Sequence, residues 1–159
     1  MCCAMKLASL LCPDTDDHRF LCQDVSADPS TVSSVREELS RWLRRGPGLD
    51  ETRLCDVVLA VNEALANAAE FAYLDGGTGT VNVEAVRDIP RGMLTVTVSD
   101  RGHWRETNPL NRQRCRGRGI PLMRTLADSV MIDTSGLGTN VCLRFDDVLS
   151  NRHVAVGVC

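Results

Sequence analysis

Lysine is almost missing from this chain: of its 18 lysine and arginine residues, only Lys6 is lysine. Basic residues as a whole are outnumbered by 21 acidic ones, and the net charge is −3. There is thus no global basic footprint, and composition gives nucleic-acid binding no support. No apolar run approaches the roughly 18 residues of a membrane span. The stretch Leu7 to Leu11 is shorter than the core of a secretory leader. There is no CxxC pair and no Cys/His cluster, which excludes the usual zinc sites. No Gly-Lys-Ser/Thr follows any glycine loop, which excludes a Walker-type phosphate loop. Internal repeats are absent too. Together these absences predict a cytoplasmic protein that contacts neither membrane nor nucleic acid directly.

What is present fits one domain with a real core: 159 residues, 43% apolar and 25% charged. The eight cysteines are Cys2, Cys3, Cys12, Cys22, Cys55, Cys115, Cys142 and Cys159. The chain is too large and too helix-patterned for a disulfide-framework miniprotein, so they read as small buried or incidental thiols in a reducing compartment. Arginine clusters locally, with Arg101, Arg105, Arg112, Arg114, Arg116 and Arg118 close together.

Along the chain, residues 1–18 read as a flexible lead-in, 19–145 as the folded domain and 146–159 as a weakly ordered tail. Arg19 to Val25 has the pattern of a strand. Asp28-Pro29-Ser30 opens a helix running to about Arg45, with Val32, Val35, Leu39 and Leu43 as its apolar stripe. A second helix spans about Asp50 to Tyr73. Alternating residues predict two antiparallel strands, Gly79 to Arg87 and Met93 to Ser99. Residues 100–119 lack periodicity and read as a long loop, of the kind that is usually functional or disordered. A short helix from Pro121 to Asp128 and strands Val130 to Thr134 and Thr139 to Phe145 complete the domain. This order predicts an α+β protein: a two-layer sandwich with helices on one face of a mixed, mostly antiparallel sheet.

Four constellations could carry chemistry. On the second helix, Glu63, Asn67 and Glu70 fall within about 60° of one another at 100° per residue. Ala60, Ala64 and Ala66 flank them and leave room for a ligand, although a solvated amphipathic face would show the same stripe. Next, the strand ending at Ser99 runs straight into Asp100-Arg101-Gly102. A carboxylate at a strand end can accept hydrogen bonds from a heteroaromatic amino group, and the same residues also make ordinary turns. Third, Arg116-Gly117-Arg118-Gly119-Ile120-Pro121 enters a helix, where exposed N–H groups, the helix dipole and arginines suit phosphate; a plain linker is the alternative. Fourth, Gly136-Leu137-Gly138-Thr139 is either a tight turn alone or a turn that aims a hydroxyl into a ligand site.

In order and spacing these four segments resemble the GHKL ATPase superfamily, and more closely its RsbW/SpoIIAB branch of anti-sigma-factor serine/threonine kinases. Glu63-x-x-x-Asn67 matches the N box of that family, and Asp100-x-Gly102 its first glycine box. Gly117-x-Gly119 matches the second box and Gly136-x-Gly138-Thr139 the last. The similarity spans about residues 20–145. The resemblance implies the Bergerat fold, with ATP and Mg²⁺ as cofactors. It implies Asn67 as the Mg²⁺ ligand and Glu63 as the general base toward an attacking serine hydroxyl. Asp100 would read the adenine amino group, with Gly102 beside it and Thr139 supporting the ring. Arg116, Gly117, Arg118 and Gly119 would border the phosphates, in a lid from His103 to Arg118. It further implies a STAS-domain anti-sigma-factor antagonist as phosphorylation substrate, a sigma factor as the alternative partner, and a homodimer. A non-catalytic ATP-binding module that regulates by protein–protein contact is the alternative reading. Two positions depart from the family pattern: Trp104 stands where a second glycine is common, and Phe71 where histidine is common.

Overall fold

The computed structural model describes residues 11–72, 79–101 and 119–149. In chain order these form β1 (Arg19–Ser26), α1 (Pro29–Arg45), α2 (Glu51–Ala72), β2 (Thr80–Asp88), β3 (Met93–Asp100), α3 (Gly119–Leu126), β4 (Ser129–Ser135) and β5 (Gly138–Phe145). The strands make one sheet in the order β1-β2-β3-β5-β4. All four pairings are antiparallel, which removes the parallel component expected of a mixed sheet. The helices cover one face. α1 packs on β1 and α2, while α2 also packs on β2, β3, β5 and α3.

Period-two alternation builds the buried face. Phe20, Val81, Val83, Ala85, Leu94, Val96, Val98, Leu143 and Phe145 all point into the core, each at most 2% exposed. The helices supply the other wall. α1 contributes Val35, Leu39 and Leu43 as the stripe predicts, with Trp42 in addition, whereas Val32 is only partly buried. Asp28 starts α1. Its carboxylate accepts from Ser30 Oγ (2.6 Å), Thr31 Oγ1 (2.6 Å) and the Thr31 amide (2.9 Å). Pro29 occupies the first turn, where a missing N–H costs nothing. Those hydroxyls, Ser30 first, hold the Asp28 carboxyl well below the usual carboxylate range.

At its other end α1 is capped from the sheet. The Arg87 guanidinium, nearly fully buried, donates to the carbonyls of Trp42 (2.7 Å) and Leu43 (3.4 Å), and to that of Asp17. It lies 3.6 Å over the Trp42 ring. Burial pushes its pKa down to about 10, against the pull of Asp17, so it stays charged at neutral pH. Gly46 closes the helix here because a Cβ at that position would sit 2.2 Å from the guanidinium.

The structure departs from the sequence reading in several places. Residues 11–18, read as part of a flexible lead-in, are fastened to the domain. Cys12 is buried, and Trp42 Nε1 donates to the Asp16 carbonyl at 2.6 Å. That folding back brings Cys12 to Cys22 with a Cα separation of 4.4 Å, and the two form a disulfide. The expectation of free thiols holds for Cys55 and Cys142 but not for this pair. The start of the tail is also secured: the Val148 and Leu149 amides donate to the Gly92 carbonyl (3.0 and 3.2 Å), and both side chains are 2% exposed. Finally, α3 begins at Gly119 rather than Pro121 and ends at Leu126 rather than Asp128.

Candidate functional site

The cleft of interest opens between the later turns of α2, the start of α3 and the ends of β3 and β5. It is lined by Ala64, Asn67 and Ala68 of α2, Val98 and Asp100 of β3, Ile120 of α3, Ile132 of β4, and Thr139 and Val141 of β5. Three residues singled out in the sequence, Asn67, Asp100 and Thr139, therefore share one cavity although 72 positions separate the first from the last.

Register sets the floor. Asp100 on β3 stands opposite Thr139 on β5 and Val81 on β2, so its side chain and that of Thr139 emerge on the helix-covered face. They are 8% and 7% exposed, two of the few buried polar side chains among the described residues. Gly138 allows this approach. Its φ is +144°, and a Cβ there would lie 1.9 Å from the Asp100 carbonyl oxygen and 2.9 Å from the Arg101 Cα. Only glycine accepts both that backbone conformation and that contact.

The wall is a helix face made of small residues. Ala64 is 1% exposed and Ala68 is 3%, and both line the cleft, as expected for one of the flanking alanines. Ala60 is instead sealed in the core, and Ala66 faces outward. Glu63 and Asn67 are partly buried, one turn apart, whereas Glu70 is exposed. Gly119 lies directly against the first two. A Cβ on it would sit 3.1 Å from Glu63 Oε2 and 3.5 Å from both Asn67 Oδ1 and Nδ2. Gly119 and the Glu63–Asn67 face thus meet at one point, with a hollow that a Cβ would fill.

α3 is fixed relative to α2 by Arg53. Its guanidinium donates to the Leu126 carbonyl (3.3 Å) and to Asp128 Oδ2 (2.6 Å), which also receives the Asp146 amide (2.8 Å). Burial pulls the Asp128 carboxyl upward, but the Asp146 amide and Arg53 outweigh it and leave it below its ordinary value. The apolar walls Val98, Ile120, Ile132 and Val141 were not identified from the sequence. Strand alternation could have found Ile132, which pairs with Val141 across β4 and β5. Gly102 and the whole expected lid from His103 to Arg118, with Trp104, Arg116, Gly117 and Arg118, lie outside the described residues, as does the Phe71 side chain.

A helix-covered antiparallel sheet with a carboxylate at the floor of an apolar cleft, beside an Asn/Glu helix face, defines a protein of the histidine kinase-like ATPase class. The family model for the histidine kinase-like ATPase domain matches residues 25–145, and the chain belongs to that family. Within it the chain resembles the serine-protein kinase RsbW of Oceanobacillus iheyensis. The two are 26% identical over 130 residues, covering 74% of this chain and 80% of the relative.

Among solved structures, the fold matches the crystal structure of the RsbU and RsbW domains of a Mycobacterium tuberculosis protein. The TM-score is 0.64 at 23% identity, over 80% of this chain and 32% of that one, so the present chain spans about a third of that structure. It also matches the histidine kinase domain of a blue-light activated histidine kinase from Erythrobacter litoralis. There the TM-score is 0.52 at 21% identity, over 77% of this chain and 61% of that one.

Among the described residues, no helix is long and apolar enough to cross a membrane.

Proposed function

We propose that this chain is an ATP-dependent serine/threonine protein kinase that acts as an anti-sigma factor. Its phosphorylation substrate is a STAS-domain anti-sigma-factor antagonist, and its alternative partner is a sigma factor. It works in the cytoplasm as a homodimer. What supports this above all is the convergence of Asn67, Asp100 and Thr139 on one cleft, with Gly119 set against Glu63 and Asn67 at its rim. Similarity to a serine-protein kinase along most of the chain adds to it.

The residues suit ATP and Mg²⁺. The Asp100 carboxylate accepts from the adenine amino group, and the Thr139 hydroxyl supports the ring edge while the apolar walls cover its faces. Close approach of backbone and phosphate at Gly119 needs the hollow that a Cβ would fill. Gly117, Arg116, Arg118 and Gly102 complete the phosphate and adenine surroundings in this reading. Asn67 offers its amide oxygen to Mg²⁺, which when bound neutralises phosphate charge. Glu63, one turn away on the same face, takes the proton of the incoming serine hydroxyl as its oxygen bonds to the γ-phosphorus and ADP departs.

The test is transfer of labelled phosphate from ATP to the STAS protein captured in a pull-down. Glu63→Gln is expected to lose about 100-fold or more in transfer rate while retaining nucleotide binding. Unchanged transfer would remove Glu63 from the chemistry. If the wild-type chain labels no captured protein, the kinase reading fails, and a non-catalytic ATP-binding regulator takes its place.

A further inference from the structure

At the sheet edge remote from the cleft, residues 11–18 fold back under α1. A disulfide, a set of hydrogen bonds and the packing of Leu11 and Cys12 hold them there. The Cys12–Cys22 disulfide is the covalent one. Trp42 Nε1 donates to the Asp16 carbonyl (2.6 Å), the Leu21 amide donates to Thr15 Oγ1 (3.1 Å), and Arg87 donates to the Asp17 carbonyl. Cys12 is 2% exposed and Cys22 is 0%, and a Glu38 carboxylate oxygen lies within 4.8 Å of both sulfurs. None of these groups lines the nucleotide cleft.

We propose that Cys12 and Cys22 form a reversible thiol-oxidation site whose state decides how residues 11–18 lie against α1. The oxidant is a low-molecular-weight disulfide. The inference takes from the proposed function only the cytoplasmic surroundings, where disulfides are commonly transient and redox-sensing rather than structural.

The placement of the two sulfurs supports reversibility. Cys22 belongs to β1 and stays with the sheet, while Cys12 belongs to the segment before β1, whose backbone bond to β2 is made at its far end, from the Arg87 amide to the His18 carbonyl (2.9 Å). Breaking the disulfide therefore leaves the segment attached by hydrogen bonds and by the packing of Leu11 and Cys12 alone. In the forward direction one cysteine thiolate attacks the small disulfide and expels one thiolate, giving a mixed disulfide. The second cysteine then attacks the protein sulfur and expels the other. The protein gives up two electrons and two protons, and the small disulfide becomes two thiols. Excess small thiol reverses both steps. Both sulfurs are buried, so small thiols and disulfides reach them only when the segment opens.

Trp42 is the natural reporter, since it touches this segment through Asp16, stacks near Phe20 (5.9 Å) and lies under Arg87. The experiment uses the full chain with Trp104→Phe, equilibrated in buffers of reduced and oxidised glutathione. Alkylation with mass-spectrometric mapping is read alongside Trp42 emission. The expected result is that Cys12 and Cys22 are protected when oxidised and alkylated when reduced, reversibly. Reduction should shift Trp42 emission to the red and lower Tm by roughly 5–10 °C, as loss of a short disulfide loop implies. Cys12→Ala should show the reduced emission and Tm in either buffer, with Mg²⁺-ATP affinity unchanged within about twofold.

Alkylation of both cysteines in the oxidising buffer would overturn the proposal, as would identical Trp42 emission in the two states. Stoichiometric zinc on the purified chain with both thiols intact would overturn it in favour of a metal centre on Cys12, Cys22 and Glu38. Failure to bind Mg²⁺-ATP in both redox states would count against the proposed function and leave the redox site standing.

Discussion

The two ends of the sheet bury polar groups for opposite purposes. At the β1 end, Arg87 enters the interior and spends its guanidinium on the carbonyls of Trp42, Leu43 and Asp17. Gly46 keeps a Cβ out of its way. At the β3–β5 end, Asp100 and Thr139 are almost as deeply buried, yet they line an opening. Gly119 there keeps a Cβ away from Glu63 and Asn67. Burial of a polar group and a glycine against a side chain occur at both ends, so neither marks a functional site. Arg87 borders an opening too, so the distinction is what accompanies the buried group: at one end a guanidinium committed to three backbone carbonyls, at the other Asp100 and Thr139 sharing a cleft with Asn67 and the hollow at Gly119.

Mutation should separate the ends. The largest effect is expected from Gly138→Ala, which forces a Cβ onto the Asp100 carbonyl at a positive φ. A loss of about 3–4 kcal/mol in chemical denaturation is expected, together with loss of nucleotide binding. Arg87→Met strips the side-chain cap from α1 and removes this donor from the Trp42 carbonyl, while Leu43 keeps the Gly46 amide. It should cost about 2–3 kcal/mol while Mg²⁺-ATP affinity stays near wild type. If Arg87→Met weakened ATP as much as stability, the two ends would not be separate.

The reverse pattern is expected at the cleft. Asp100→Asn keeps the shape and swaps an acceptor for a donor. ATP affinity by calorimetry should fall about 10–100-fold, or roughly 1.4–2.7 kcal/mol, with little change in Tm. Gly119→Ala should weaken Mg²⁺-ATP several-fold by crowding Glu63 and Asn67. Within α3, alanine also raises helix propensity, so stability should hold or rise by up to about 1 kcal/mol. A Gly119→Ala protein that binds ATP normally would show that the hollow has no role.

The smallest expected effect is of pH. The carboxyls of Asp28 and Asp128 are held below their ordinary value in the folded chain. Their stabilising contribution is fully present above about pH 4 and is lost as pH falls through the folded values. Asp128→Asn should therefore lower Tm modestly at neutral pH and converge on the wild type in acid, which flattens the acid limb of the Tm profile.

How much of this the sequence disclosed follows from the range of each interaction. The α1 start was legible because Asp28 acts on Ser30 and Thr31, two and three residues away. β2 and β3 were legible because one covered face imposes alternation. The convergence of Asn67, Asp100 and Thr139 came through the order of family motifs, and the apolar walls that join them carry no motif. The Cys12–Cys22 pairing was missed because connectivity depends on how the lead-in folds back, which spacing does not encode. Arg87 was missed as a buried cap because its acceptors, Trp42, Leu43 and Asp17, all lie more than forty residues earlier. α3 takes in Gly119 and Ile120 ahead of Pro121, where a glycine pair alone reads as loop.

The rung that pairs Asp100 with Thr139 has one more consequence. The floor of the cleft is written in sheet register, so its accuracy is inherited from the whole β3–β5 ladder rather than from any loop. Slippage by one residue would turn both side chains to the opposite face at once. Floor and sheet are thus one structure, and a change that loosens the ladder reaches both groups together.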